Sequence, residues 1–332
     1  MLRSMDSAVS GLRAHQNKLD VIGHNIANVN TFGFKAQNYS FKEAMYQTVT
    51  QSTGGVQPDA NAGGTTTAAG TNAAQYGYGT LMGSITTDMT SSTPTYVGGL
   101  NACIDGQGFF ITHASSSVDA SVEDDAAENT LKNLGFAYTR VGQFQLDSQG
   151  FLTDGTNFIY GFQPDENGQF PTTQYDALVA LRVPTGVTVD ETTGAVTMEF
   201  DGDASMQAKN VKINELGEVT ATVTVVNEND NSSKDVQVSL GKIAIATFQN
   251  QEGLAKSGGS YYSAGLGDNT GFCAAEAAGN GIKLMSGYLE ASNVDLAKEF
   301  ADLITTQRGF QANTKIITVS DEILSDLISM KR

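Results

Sequence analysis

The last stretch of the chain repeats a large apolar side chain every seven positions, at Leu289, Leu296, Leu303, Phe310, Ile317 and Leu324. A seven-residue apolar period keeps one stripe along one side of a helix and asks for a second helix to cover it. The beginning of the chain carries the same pattern in Met5, Leu12, Leu19 and Ile26, widened by Val9, Ile22 and Val29. Two such stripes on one chain most simply bury each other. Residues 1–30 and 284–332 are therefore expected to form one discontinuous helical domain, with everything between them inserted into it.

Both stripes are imperfect. Gly11 and Gly23 interrupt the first, each at a cost of about 1 kcal/mol relative to alanine in a helix interior. In the second, the positions that would complete the seam hold Ser292, Glu299, Thr306, Asn313 and Ser320. So little apolar burial predicts a pair that is loose in the isolated chain and ordered by other copies. A contact between different surfaces of identical subunits need not close, and then it propagates as a helical filament. At the end of the first helix, Asn30 and Gly33 both tolerate left-handed backbone angles and so can close it.

Between the helices the pattern changes twice. Residues 31–80, which include "GGVQPDANAGGTTTAAGTNAAQYGYG", are too poor in large apolar groups to make a domain and read as an extended linker or arm. From residue 81 onward the signals are β. In "EVTATVTVV", Val219, Ala221, Val223 and Val225 alternate with Thr220, Thr222 and Thr224, and "DVQVSLGKIAIATF" alternates likewise. Turn chemistry in "DSQG" and "DENG", and a polar hairpin loop "NENDNSSKD", punctuate the strands. The acidic segment 119–128 reads as a solvated excursion. The expected fold is α+β: long N- and C-terminal helices pair as a coiled-coil-like domain, and mainly-β domains are inserted between them. The inserted part divides into a β domain, 81–165 with 241–283, and an outer β domain, 166–240.

Charge excludes several functions. The chain has 332 residues and a formal charge of -17. It has no Lys or Arg from Glu43 to Leu131. Such a surface repels phosphate backbones and anionic lipid, so neither nucleic acid nor membrane is expected as a partner. Cys103 and Cys273 lie far apart, and His15, His24 and His113 show no ligand spacing, so no metal is expected. The Gly-rich "YGYGTLMGS" is not set between a strand and a helix, and no G-x-S-x-G occurs. Asp147, Asp154 and Asp165 sit in turn sequences without the further ligands of a calcium loop. No catalytic residue and no cofactor are expected. A non-enzymatic rival, an acidic β-rich surface adhesin, accounts for the middle of the chain but not for two matched helical ends.

The two ends also carry longer motifs. "SGLRAHQNKLDVIGHNIANVNTFGFK", Ser10 to Lys35, resembles the N-terminal signature of bacterial flagellar rod and hook proteins. "SGYLEASNVDLAKEFADLITTQRGFQANTKIITVSDEIL", Ser286 to Leu324, resembles the C-terminal signature of that family. "IDGQGFFI" and "AYTRVGQFQLDSQGFLTDG" resemble its β domain. The resemblance implies an axial protein without catalysis, exported by the flagellar type III apparatus without a cleaved signal peptide and polymerising outside the cell. On matching positions it implies that Asn25, Asn28, Thr31 and Gly33 form the turn leaving the inner helix. Glu290, Ser292, Asn293 and Asp295 would form the lead-in to the second helix. The inserted outer domain points to the hook, a curved tube transmitting torque from rod to filament; the alternative is the distal rod of the basal body. Implied partners are other copies of the chain, rod and hook–filament junction proteins, the hook cap and the export apparatus.

Overall fold

A computed structural model describes residues 2–54, 69–117, 120–121, 135–164, 170, 177–189, 196–200, 206–226, 233–265, 273–278 and 281–330. Most of the acidic segment 119–128, the "DENG" turn and most of the "NENDNSSKD" loop lie outside these residues. The architecture is α+β, with a helix near each end and strands between them. The chain divides into two compact units. The first comprises 1–29, 36–88 and 294–332, and the second 30–35 and 89–293.

In the first unit, a helix over Leu2–Ala27 lies against a helix over Leu296–Met330. The helices run antiparallel. Asn25 meets Glu299, His15 meets Gly309 and Gly11 meets Asn313, so numbers rise on one helix as they fall on the other. The stretch 31–80, expected to be an extended linker, also supplies strands here. β1 (Gln37–Glu43) pairs antiparallel with β4 (Thr80–Thr87), and β2 (Tyr46–Thr50) with β3 (Ala74–Gly77). Short β-branched and aromatic runs such as Tyr46-Gln47-Thr48-Val49-Thr50 suit a ribbon of this kind even without a core beneath it.

The second unit is built on a mostly antiparallel sheet of thirteen strands. Its spine is the strand Ser233–Phe248. The first half of the spine pairs with Glu218–Val226, and its second half with Cys273–Ala277 and with Phe109–His113. Apolar groups bury both faces of that second half. Ile243 and Ile245 enter one core with Phe110, Phe144, Leu152 and Ile159, while Ala244 and Ala246 enter another with Phe109, Ile111, Tyr138 and Phe248. Gly241, at φ 144, stands between the halves where the pairing with Glu218–Val226 shifts register, and a β-carbon there would meet the Phe162 carbonyl. Val219, Ala221 and Val223 are buried while Thr220, Thr222 and Thr224 face outward, in the alternation read from the sequence.

Candidate functional site

In the second unit, the turn segment 30–35 and the strand Tyr288–Glu290 converge on a buried ionic knot. Thr31 accepts the Phe34 backbone N–H at 3.3 Å, closing the turn. Gly33 sits at φ 67 and donates its N–H to the Glu290 carbonyl at 2.8 Å. A β-carbon there would lie 2.7 Å from the Val141 side chain and 3.2 Å from the Val141 backbone nitrogen. Backbone and space both demand glycine, and Gly33→Ala should cost about 1–3 kcal/mol in a chemical melt of this unit. Two residues on, the Lys35 ammonium donates to Glu290 Oε1 and to the Thr90 carbonyl, each at 2.7 Å. The Ser92 N–H donates to the same Glu290 oxygen at 3.0 Å. Arg140 Nη1 lies 3.7 Å from Glu290 Oε2, donates to the Gly106 carbonyl at 2.9 Å, and stands over the Phe109 ring.

The side chains of Lys35, Glu290 and Arg140 are at most 1% exposed. Charges this deep are tolerable only when paired and hydrogen-bonded. The knot ties together residues 255 positions apart in sequence. Around it, Ser92 Oγ donates to the Ser292 carbonyl, and the Asn293 amide donates to Thr90 Oγ1. The Lys256 ammonium donates to the Lys35 carbonyl and covers the Phe34 ring. Burial lowers the pKa of Lys256 from its ordinary 10.5. Burial, with Glu290 adding to it, pushes the nearby Cys103 thiol up to about 11, so it stays protonated and inert.

The first unit has its own signature residue. Asn25 is 1% exposed, and its amide is fully engaged. Its Nδ2 donates to the Gln37 carbonyl at 2.9 Å and to Glu299 Oε1 at 3.1 Å, and its Oδ1 accepts the Gln37 N–H at 3.0 Å. One side chain thus fastens the first helix to β1 and to the second helix. Asn28 turns back at the helix end and donates to the His24 carbonyl, a C-terminal cap. Asp295 caps the start of the second helix: its carboxylate accepts the N–H groups of Ala297 and Lys298.

The apolar stripes sit differently from their expected arrangement. Leu289 is buried, but in the strand Tyr288–Glu290, because the helix begins only at Leu296 after the Asp295 cap. Met5, Leu12, Leu19, Ile26, Leu303, Phe310, Ile317 and Leu324 are half-buried, and Leu296 is exposed. The buried groups of the helices are mostly small or polar: Ala8, Gly11, Ala14 and Asn25 with Val21 and Ile22 on the first, and Glu299, Thr306 and Ser320 on the second. Small groups facing the other helix, as Gly11 faces Asn313 and Gly309 faces His15, let the two backbones approach closely and leave most of the large side chains only partly covered. Of the 23 exposed large apolar side chains among the described residues, 19 belong to the first unit and four to the second, Phe32, Tyr96, Val97 and Leu216.

Lys35, Ser92 and Arg140 are the site residues that the sequence reading passed over. The available signal was Lys35 itself, a lysine directly after the apolar turn Phe32-Gly33-Phe34.

Comparison with known proteins bears on both motifs. A family described as flagella basal body rod protein matches residues 5–35, and one described as flagellar basal body rod FlgEFG protein C-terminal matches residues 285–330. Over their full lengths, the chain and the flagellar basal-body rod protein FlgG of Bacillus subtilis are 35% identical in an alignment of 334 residues. The flagellar hook protein FlgE of Borreliella burgdorferi is 26% identical over 465 residues, with both chains fully covered. That of Salmonella typhimurium is 29% identical over 431, covering 99% of this chain and all of the relative. With a full-length relative at that identity and both terminal motifs matched, the chain belongs to the bacterial flagellar rod and hook family of structural proteins.

Proposed function

We propose that the protein is a self-polymerising subunit of the flagellar hook, assembling into a curved, flexible tube that carries torque from rod to filament. The observation that carries this reading is the unequal distribution of exposed apolar groups between the two units. Buried apolar area drives association without regard to direction, so a unit rich in exposed Phe, Ile, Leu and Met is built to be covered by copies of itself. The antiparallel helices would act as a coiled-coil-like inner layer, made continuous by the half-buried stripes and the outward Phe300, Ile304, Ile323 and Leu327. A tube that bends needs outer contacts that slide. The strands 208–213, 218–226 and 233–240 would suit that role, because Lys209, Thr224 and Asp235 are linked on them by exposed side-chain hydrogen bonds.

On this reading the chain is exported through the flagellar type III apparatus without signal-peptide cleavage. It meets rod and junction proteins at the two ends of the tube and the hook cap during growth. The distal rod is a second reading, favoured by the 35% identity to a rod protein whose alignment scarcely exceeds the length of this chain. Alignments with hook proteins run to 431 residues and beyond, so those hooks carry segments this chain lacks.

Electron microscopy of polymer grown from purified protein separates the two. Supercoiled, bendable tubes are the expected result. Straight rigid cylinders would assign the chain to the rod, and failure to polymerise under any seeding would remove both readings.

A further inference from the structure

Glu299 is an unusual choice for a helix seam. It is 9% exposed, lies between the two helices of the first unit, and has one side-chain hydrogen-bond donor, the Asn25 amide at 3.1 Å. That donor is a neutral amide already shared with the Gln37 carbonyl. The arrangement holds equally well for a protonated acid or an amide, because Oε1 can accept the same hydrogen bond in either case. Ionisation alone adds a buried negative charge that no cation touches in a salt bridge among the described residues.

We infer that Glu299 is a proton-operated brake on helix pairing, releasing the terminal helices from each other when it ionises and drawing them together when it is protonated. The surroundings agree. Burial raises the Glu299 pKa above its ordinary 4.5, the Asn25 hydrogen bond opposes that, Asp302 adds to it, and Lys298 and Lys18 oppose it. An acid raised in this way binds its proton more readily in the paired state. The Glu299 contribution to pairing is therefore fully present below about 4.5 and is lost as pH climbs through the raised value. His15, which faces Gly309 in the same seam, acts in the opposite sense. Burial first, and Lys18 second, lower its pKa from 6.5, so its contribution is lost as pH falls. Wild type and variant must therefore be compared, since His15 is common to both.

The brake concerns the single subunit, and only its consequence for growth rests on the assembly reading. The test uses full-length monomer and hydrogen exchange, corrected for intrinsic rates, at about pH 4 and about pH 8. Relative to Glu299→Gln, protection of residues 19–27 and 296–306 in wild type should fall several-fold between the two. In Glu299→Gln, which keeps the oxygen that Asn25 needs, protection at the higher pH should exceed that of wild type at the same pH several-fold. Strand 233–248, in the second unit, should be equally protected in both proteins and so reports intact folding. Parallel pH profiles for wild type and variant would overturn the brake, as would a variant less protected than wild type at the higher pH. Either outcome leaves the tube experiment to decide the assembly reading separately.

Discussion

Glu290→Gln should unfold much of the second unit under conditions where wild type is stable. The substitution keeps the shape of the side chain and an acceptor for Lys35 and for the Ser92 N–H. What it removes is the negative charge that faces the Lys35 ammonium at 2.7 Å and the Arg140 guanidinium at 3.7 Å, both almost wholly buried. Breaking a buried pair from one side costs about 3–5 kcal/mol, because the charge left behind has no solvent to turn to. Two cations are left here, which places Glu290→Gln at the upper end of that range. Against a total stability of about 5–15 kcal/mol for a typical domain, the midpoint in urea should fall sharply. Lys35→Met should cost less, since Arg140 and Glu290 still neutralise each other. The reverse order, or a loss below about 1 kcal/mol for Glu290→Gln, would mean that the knot is not held together by charge.

Ile304→Asp should leave the monomer intact and abolish its assembly. Ile304 is 51% exposed on the outward side of the second helix, where a substitution in the free chain is worth within about 0.5 kcal/mol. In the polymer the same position would be covered. An isoleucine contributes about 1.5–3 kcal/mol when fully buried, and a buried unpaired carboxylate adds several more against it. A loss of about 3 kcal/mol already corresponds to roughly a hundredfold rise in the concentration needed for growth. Sedimentation of seeded polymer measures that threshold, while circular dichroism checks the monomer. Leu303→Asp and Leu19→Asp should also block growth, but by loosening the helix pair as well, since both positions are half-buried within it. Normal tubes from Ile304→Asp would free the outward stripe from any role in assembly.

Helices at both ends, and strands between them, follow from periodicities of seven and of two. Those patterns persist through dozens of residues and are hard to imitate by chance. The alternation through Val219, Ala221 and Val223 predicts a strand face by face for the same reason. The ribbon in 37–50 and 74–87 was not legible. Its strands bury almost nothing of their own, so they leave no apolar alternation in a single chain; Tyr46, Val49, Tyr76 and Leu81 are all exposed. The ionic knot was half legible. Gly33 and Glu290 stand inside recognisable motifs, but no local pattern says that Lys35 crosses 255 positions to meet Glu290 or that Arg140 joins them. Long-range charge pairing is a property of topology, invisible to periodicity. Leu289 shows the opposite hazard: it continues a heptad numerically, yet Asp295 caps the helix six residues later and leaves it in a strand.

The position of Glu290 near the end of the chain fixes an order of events. A chain halted by premature termination or breakage anywhere before it lacks the carboxylate that holds Lys35. Such a fragment also lacks the whole of Leu296–Met330, the cover for the first helix. Both units should then be less stable, however much of the intervening sheet has been made. Such fragments should accordingly be cut by proteases faster than a chain that carries both Lys35 and Glu290. The fold thereby makes the settling of the early turn wait on a partner 255 positions further along.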